Sequence, residues 1–532
     1  MPVSGYFSRL NRISTRLQDT VAGLADIDKS QARCGGLMER MAGTVRNTAV
    51  VAARVDAATL PLCVDLDGTL LVTDSLQEAA VAACLADPRV VLALPGWLAQ
   101  GKARFKEELA RRWDFDPAQL PYHLEFLAYL QEQKAQGRRL VLATATDRRI
   151  AQKIADHLSL FDEVIASDGA NNLGGAAKAA ALVERFGARG FVYAGNARAD
   201  LEVWHEAAAA IIVAAPKRIR AAAAAQAPVE RTIPRQGSIL RGVIRALRPH
   251  QWMKNLLVFV PLVCAAAFDS IGGWEAALEC FFGFCAIASA IYLLNDIADL
   301  ASDRAHPRKS RRPFASGVVP IALGLALVPV LLAIAIAFGW ESDAGRDFAI
   351  YAALSLAYNF KLKEMPLVDV FVLAGLYTVR LFGGGEASGY PVSLWLLGFS
   401  SFMFLSLALI KRVSELQMIL KQQRRANGRR GYMTQDLSAL EMMGYAASFT
   451  SALVLTLYVQ SDTASRYYAH AKLLWGIVPL MLFWQCRLWL STARGYMHDD
   501  PIVYAARDWV SWLVFGALVA LVAGASFLPV LV

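Results

Sequence analysis

Residues Asn295 to Gly317 read NDIADLASDRAHPRKSRRPFASG, and the rest of the chain is organised around this stretch. An apolar run precedes it, so its first residues continue a helix. Asn295, Asp296, Asp299 and Asp303 fall at helical spacing, and Arg304, His306, Arg308, Lys309, Arg311 and Arg312 follow them. Carboxylates at i, i+3 and i+7 share one helix face. Oxygen ligands so placed suit magnesium, which commonly bridges to substrate phosphates. The cations beyond suit the phosphate oxygens that the metal leaves uncovered, and arginine can grip them in bidentate fashion. A diphosphate-bearing substrate is the natural guest. A solvated charged loop between two membrane helices is the plainer alternative, and the order of residues speaks against it.

The chain has 532 residues, 56% of them hydrophobic, and a mean hydropathy of +0.37, which is high for a soluble protein. Residues 1–250 mix charged and apolar side chains in the ordinary way, whereas 255–532 hold repeated apolar runs of roughly 20 residues, enough to cross a bilayer. A soluble part is therefore fused to a membrane part. Nine spans are expected, near 255–272, 275–297, 317–339, 347–362, 367–384, 393–411, 440–459, 471–490 and 509–530. The net charge of +9 does not indicate nucleic acid, because much of the basic excess sits in short loops: Arg304 to Arg312, Lys361 with Lys363, and Lys411 to Arg430. Such a bias places those loops and the N-terminal domain on the cytoplasmic side of a bacterial-type inner membrane. Cys34, Cys63, Cys84, Cys264, Cys280, Cys285 and Cys486 form no CxxC pair, which argues against a zinc site or a disulfide scaffold. No signal peptide is expected, and no sequence feature sets an oligomeric state.

Near the N-terminus, Phe7, Leu10, Ile13, Leu17, Val21 and Leu24 recur at helical steps with Arg9, Arg12 and Arg16 off that line. The spacing predicts a basic amphipathic helix in segment 1–58, able to lie on anionic lipid or to pack on a neighbouring domain. Pro61 to Leu71 then reads PLCVDLDGTLL, an apolar strand ending in two acids that leave the pleat on the same side. Asp65 can attack phosphorus, and Asp67 can trade a proton with the leaving group.

This pattern resembles the haloacid dehalogenase-like phosphatases over roughly residues 60–215. The resemblance implies a three-layer α/β domain (59–215) with a small helical cap over 75–135 and its acids at the carboxyl ends of parallel strands. Thr144, closing RLVLAT, would be the phosphate-binding hydroxyl. Lys178, in NLGGAAKAAAL, would neutralise the phosphoryl group and the nucleophile. Asp65, Asp67 and Asp200 would hold magnesium. The final motif, usually GDxxxD, is here Gly195-Asn196-Ala197-Arg198-Ala199-Asp200, and Asn196 lowers the negative charge around the metal. Residues 216–245, rich in Ala, Arg, Lys and Pro, read as a linker.

The membrane part (246–532) opens with LRPHQWMKN. Arg248, His250, Trp252 and Lys254 read there as interface anchors, and Lys254 with Asn255 can also face a site. The second half echoes the first: Tyr358, Lys361 and Lys363 lie in YNFKLK, Asp369 and Arg380 in an apolar run, and Lys411, Arg412 and Glu415 further on. Ionisable residues inside a span are costly enough to be functional candidates. Arg429, Arg430 and Tyr432 can receive a phosphate or simply be solvated. Asp499-Asp500-Pro501 reads equally as a helix start.

NDxxDxxxD, then RPxASG, then YxxKxK with a following Asp, spread over nine spans, is similar to the UbiA superfamily of intramembrane prenyltransferases over about residues 240–532. The fold implied is an all-α nine-helix transmembrane bundle. RPHQWMKN and DRAHPRKSRRPFASG look most like the decaprenyl-phosphate phosphoribosyltransferases within it. That likeness implies transfer between phosphoribosyl diphosphate and a polyprenyl phosphate lipid, with magnesium here as in the phosphatase domain. Asn295, Asp296, Asp299 and Asp303 would hold the metal and diphosphate. Lys309, Arg312, Lys361 and Lys363 would meet the donor's phosphates, and Asp369 would shape the second wall. The phosphatase domain would then remove the ribose 5-phosphate. A prenyl diphosphate donor with an aromatic acceptor, beside a regulatory phosphatase-like domain, is the competing expectation.

Overall fold

The computed structural model describes residues 59–421, 431–497 and 500–527. The expected amphipathic helix in 1–58, Arg429, Arg430 and Asp499 lie outside these residues. The chain divides into two compact units between Gln236 and Gly237.

In the first unit Leu62–Val64 (β1) is buried throughout, as a central strand covered on both faces must be. It pairs in parallel with Leu140–Asp147 (β2) and Val192–Gly195 (β4). With Glu163–Ser167 (β3), Ala209–Val213 (β5) and Val229–Ile233 (β6) it forms one parallel sheet in the order β3-β2-β1-β4-β5-β6. Side chains alternate between two cores. Leu62, Val64, Leu142 and Ile211 lie in one, and Cys63, Val141, Tyr193 and Ile212 in the other. The strand order reverses beside β1, so the carboxyl ends of β1 and β4 open a crevice there. The insert between β1 and β2 is helical, with Ser75–Ala86, Val90–Ala99, Lys102–Arg112 and Leu124–Ala135.

The linker expected over 216–245 is not one. Lys217–Gln226 is a helix, and β6 adds a sixth strand. Alanine-rich composition is also the best helix-forming composition, and here the following strand finds a partner. Arg138, buried, puts its guanidinium 2.8 Å from Glu230 of β6, and the Tyr129 hydroxyl donates to the same carboxylate at 2.7 Å. The next helix, Ile239–Leu247, capped by Ser238, opens the second unit.

That unit is an all-helical bundle. Among the described residues, seven helices are long and apolar enough to cross a membrane: Ile271–Ala298, Ile321–Glu341, Val368–Ser388, Leu394–Lys421, Thr434–Val459, Ala471–Ala493 and Trp509–Phe527. The two remaining expected spans are present in shorter form. One is the helix Gly345–Phe360; the other is a 3-10 helix, Pro249–Phe259, running into Val260–Cys264. Val258, Phe284, Tyr351, Tyr377, Phe404, Trp484 and Trp489 belong to one apolar core, and Val459, Tyr468, Leu474 and Val522 to a smaller one. Gly384 sets how closely the 3-10 segment approaches, since a Cβ there would lie 2.0 Å from the Val258 carbonyl oxygen. Backbone cannot yield to that. Gly384→Ala is expected to displace the segment carrying Lys254 and Asn255 and to destabilise the bundle by about 1–3 kcal/mol, read as a lower melting temperature of the purified protein in detergent.

Candidate functional site

Each unit assembles its own cluster of chemically capable side chains. In the first, Asp65 and Asp67 leave the carboxyl end of β1, and the Asp65 amide still pairs with the Ala194 carbonyl of β4 at 3.0 Å. Lys178, on Ala176–Phe186, donates to Asp65 Oδ1 at 2.6 Å and to the Tyr193 hydroxyl at 2.7 Å, and lies 3.6 Å from Asp200 Oδ1. Tyr193 passes the chain on to Asp200 Oδ1 at 2.8 Å, and Asp200 Oδ2 accepts the amides of Asn196 and Ala197, both at 2.9 Å. Burial pushes the Asp65 carboxyl up to about 7 against the pull of the Lys178 ammonium. Burial also drags Lys178 down, but Asp65 and Asp200 outweigh it and hold the ammonium above its ordinary range, so it stays charged.

Asp67 is fixed by three donors: the Ser75 amide at 2.7 Å, the Ser75 hydroxyl at 3.1 Å and the Thr146 hydroxyl at 2.6 Å. Thr144, buried within β2, accepts the Thr146 amide at 3.1 Å. Gly68 has φ +71°, and a Cβ there would lie 2.1 Å from the Asn196 amide nitrogen. Asn196 therefore packs on the bare backbone of the DLDGT turn. Its Oδ1 is buried with no hydrogen-bond partner.

In the second unit the Asp-rich stretch keeps helical hydrogen bonding through a break. Asp299 caps Ile271–Ala298, yet its amide reaches Asn295 at 2.9 Å and the Asp303 amide reaches Asp299 at 2.8 Å. Arg312 bridges the acids, 3.1 Å from Asp296 Oδ1 and 2.7 Å from Asp303 Oδ2. Arg248 pairs with Asp296 as well and stacks on the Tyr292 ring at 4.9 Å. Asp299 instead accepts the Asn295 amide at 3.1 Å. The three carboxylates expected to share an ion are thus spread, and among the described residues no three acidic, His or Cys side chains converge on a metal position by themselves. An arginine stands between Asp296 and Asp303. Asp303 Oδ1 is buried and unpartnered, which is what an oxygen awaiting a hard cation looks like.

The remaining predicted residues separate into groups. Arg304 donates to the Ala315 carbonyl at 3.0 Å, folding the basic stretch back. Lys309 and Lys361 are exposed, Lys361 lying 3.2 Å from Glu364, and Lys363 is half-buried. Asp369, fully buried, pairs with Arg412 and accepts the Tyr432 hydroxyl at 2.5 Å, while Arg412 also pairs with Glu415 and reaches the Tyr358 hydroxyl at 3.5 Å. Arg380 is elsewhere, donating to Asn255 Oδ1 at 2.7 Å and to the Tyr351 hydroxyl at 3.0 Å. Lys254 and Lys411 meet at Asp500.

Residues 256–499 match the UbiA prenyltransferase family, and residues 62–205 match the haloacid dehalogenase-like hydrolases. An uncharacterized protein of Sinorhizobium fredii, y4nM, is 36% identical over 471 residues, 87% of this chain and 90% of its own length. The chain belongs to the UbiA prenyltransferase family. It carries a haloacid dehalogenase-like domain ahead of the UbiA bundle, so the expected fold class holds for both units. The nodulation protein NoeC of Azorhizobium caulinodans is 36% identical over 49% of this chain and 86% of that protein. The decaprenyl-phosphate phosphoribosyltransferase of Mycolicibacterium smegmatis is 37% identical over 187 residues, 34% of this chain and 59% of the enzyme's length.

Sequence reasoning missed several participants in these clusters, among them Tyr193, which links Lys178 to Asp200, Ser75 and Thr146, which fix Asp67, and Arg248. Arg248 and Trp252 were expected as interface anchors, but Arg248 turns to Asp296 and Trp252 donates to Ser289 at 3.0 Å. The signal for Arg248 lay in its place just before Pro249, at a helix end where φ is +53°. Lys106, on the helical insert, donates to the Ala145 carbonyl at 2.6 Å and to Asn172 at 2.7 Å. Burial pulls it below the usual lysine range while Asp67 and Asp74 oppose that pull. Nothing in a helix that also carries Arg104, Arg111 and Arg112 marks Lys106 out.

Lys178 bridges two buried acids, so Lys178→Met is expected to cost the first unit about 3–5 kcal/mol near pH 8. Asp65, a carboxyl with a raised folded pKa, carries its penalty above that pKa and loses it as pH falls through it. The deficit should shrink from pH 8 toward pH 5 in thermal melts of variant against wild type.

Proposed function

We propose that the UbiA bundle is a phosphoribosyltransferase that joins a polyprenyl phosphate to phosphoribosyl diphosphate, and that the haloacid dehalogenase-like domain then removes the ribose 5-phosphate. The observation that carries this reading is the lacing of the acidic stretch with Arg248 and Arg312. A guest that satisfies it must bring a cation for the aspartates and anionic oxygens for the arginines, which a magnesium-bound diphosphate does. The 187-residue likeness to a phosphoribosyltransferase favours the sugar donor over a prenyl diphosphate. Asn295, Asp296, Asp299 and Asp303 would hold the metal, with the orphaned Asp303 oxygen as a ready ligand. Magnesium would supply neutralisation of the charge that gathers on departing diphosphate.

The chain's own residues do the rest. Arg312 and Arg248 exchange their aspartate partners for phosphate oxygens and orient the donor. An oxygen of the lipid phosphate attacks the anomeric carbon as the bond to diphosphate breaks, giving lipid-phosphoryl-ribose 5-phosphate and free diphosphate. The attacking group is already anionic and needs no strong base. The positive loops support a cytoplasmic site in a multi-pass inner-membrane protein.

In the other domain Lys178 holds Asp65 Oδ1, so Oδ2 is the oxygen that attacks the 5-phosphate phosphorus. As the bond from phosphorus to the ribose oxygen breaks, Asp67 gives that oxygen a proton, and water then hydrolyses the aspartyl-phosphate to Asp65 and inorganic phosphate. Asp65, Asp67 and Asp200 would hold magnesium, with the free Asn196 oxygen as a further neutral donor, which supports activity despite the Asn at position 196.

Purified protein given polyprenyl phosphate, labelled phosphoribosyl diphosphate and magnesium should yield lipid-linked ribose. Asp296→Asn should slow transfer about 100-fold, and Asp65→Asn should leave the 5-phosphate on the product. Consumption of a prenyl diphosphate in place of the sugar donor would sink the transfer reading. An unchanged product from Asp65→Asn would sink the sequential one.

A further inference from the structure

Lys254 and Lys411 come from different elements, the 3-10 helix Pro249–Phe259 and the helix Leu394–Lys421, yet both turn to one carboxylate oxygen. Lys254 Nζ lies 2.7 Å and Lys411 Nζ 3.5 Å from Asp500 Oδ2. The Tyr377 hydroxyl approaches the same carboxylate, 3.3 Å from Oδ2 and 3.4 Å from Oδ1. Lys254, Tyr377 and Asp500 are buried, whereas the Lys411 side chain keeps 25% of its surface open. Arg380, one helical turn beyond Tyr377, meets only neutral acceptors: Asn255, Tyr351 and the Leu376 carbonyl. Among the described residues this region therefore holds three cations to one carboxylate.

An excess of buried positive charge is expensive and is kept where an anion is to be taken up. A phosphate monoester carries about −1.5 to −2 near neutral pH, close to the excess of two. Tyr292 belongs to the Asp-rich cluster, since its ring carries Arg248, which pairs with Asp296.

We propose that Lys254, Lys411 and Tyr377, backed by Arg380, form a seat for a phosphate monoester inside the bundle, distinct from the Asp296–Arg312–Asp303 cluster that would take the diphosphate. Asp500 is the internal counter-charge of the two lysines. The inference rests on the phosphoribosyl-transfer reading only for its choice of ligand, since that reaction brings two phosphate monoesters to the bundle: the lipid head group and the 5-phosphate of the sugar donor. Both would be recognised by the same chemistry, two ammonium groups and a hydroxyl donor.

The test uses the full chain in lipid nanodiscs, with farnesyl phosphate as the lipid probe, ribose 5-phosphate as the sugar probe and magnesium diphosphate as the control. Losing one charge-assisted contact should weaken one of the two monoesters about tenfold or more in both Lys254→Gln and Lys411→Gln, with magnesium diphosphate binding kept. Loss of farnesyl phosphate assigns the seat to the lipid, and loss of ribose 5-phosphate assigns it to the sugar. Lys411→Arg, which keeps the charge, should retain binding. Wild-type affinity for both monoesters in both Gln variants would overturn the seat, as would an equal loss in Lys411→Arg and Lys411→Gln. A wild type that consumes no phosphoribosyl diphosphate, yet loses farnesyl phosphate binding in the Gln variants, would reject the transfer reading and leave the seat standing.

Discussion

An arginine shared between two aspartates governs the helical unit. Charge in the interior of a membrane bundle must be paired or it destabilises the fold, and Arg312 meets that demand for Asp296 and Asp303 together. Arg248 adds a second cation to Asp296, and Arg412 stands in the same relation to Asp369 and Glu415. These contacts hold the chain's own site residues in place. A bound guest would have to substitute for them without leaving either sign exposed, which fits a short stretch in which arginines directly follow the acids. A guest of one sign would strand the other set.

The first unit solves the same problem with one lysine. Two acids that would repel each other in a buried crevice are joined through Lys178, and Tyr193 closes the link to Asp200. The crevice exists because the sheet order reverses beside β1, and Gly68 permits the Asn196 loop to close against the strand end. Fold and chemistry meet at the glycine. A side chain there would force Asn196 away and open the loop that Asp200 organises through the Asn196 and Ala197 amides.

Much of this was legible in residue order. LCV, RLVLAT and the spacing of DLDGT locate the strands and their acids, and the nine apolar runs each correspond to a helical segment. Local composition misled where a tertiary partner decided the outcome. Residues 216–245 read as a linker until Glu230 of β6 meets Arg138, just ahead of β2. Asp369 and Arg380, on one helix, invite reading as one functional face, yet Asp369 pairs with Arg412 and Arg380 with Asn255. Their partners lie tens of residues away in sequence, where no periodicity reaches. Asp500 gave the weakest signal of all, an acid before a proline, because its importance comes from two lysines that are remote in the chain.

The fusion has a physical logic on the proposed reaction. The product of transfer stays anchored by its polyprenyl chain, so its phosphate moves only within the membrane plane. On that reaction a phosphatase carried in the same chain as the transferase would meet its substrate at an effective concentration set by the tether and not by the bulk. Removing the 5-phosphate also takes about two negative charges off the product. A site rich in arginine and lysine holds the phosphorylated sugar more firmly than the neutral one, so hydrolysis elsewhere in the same chain draws the transfer step forward by removing the form most able to rebind.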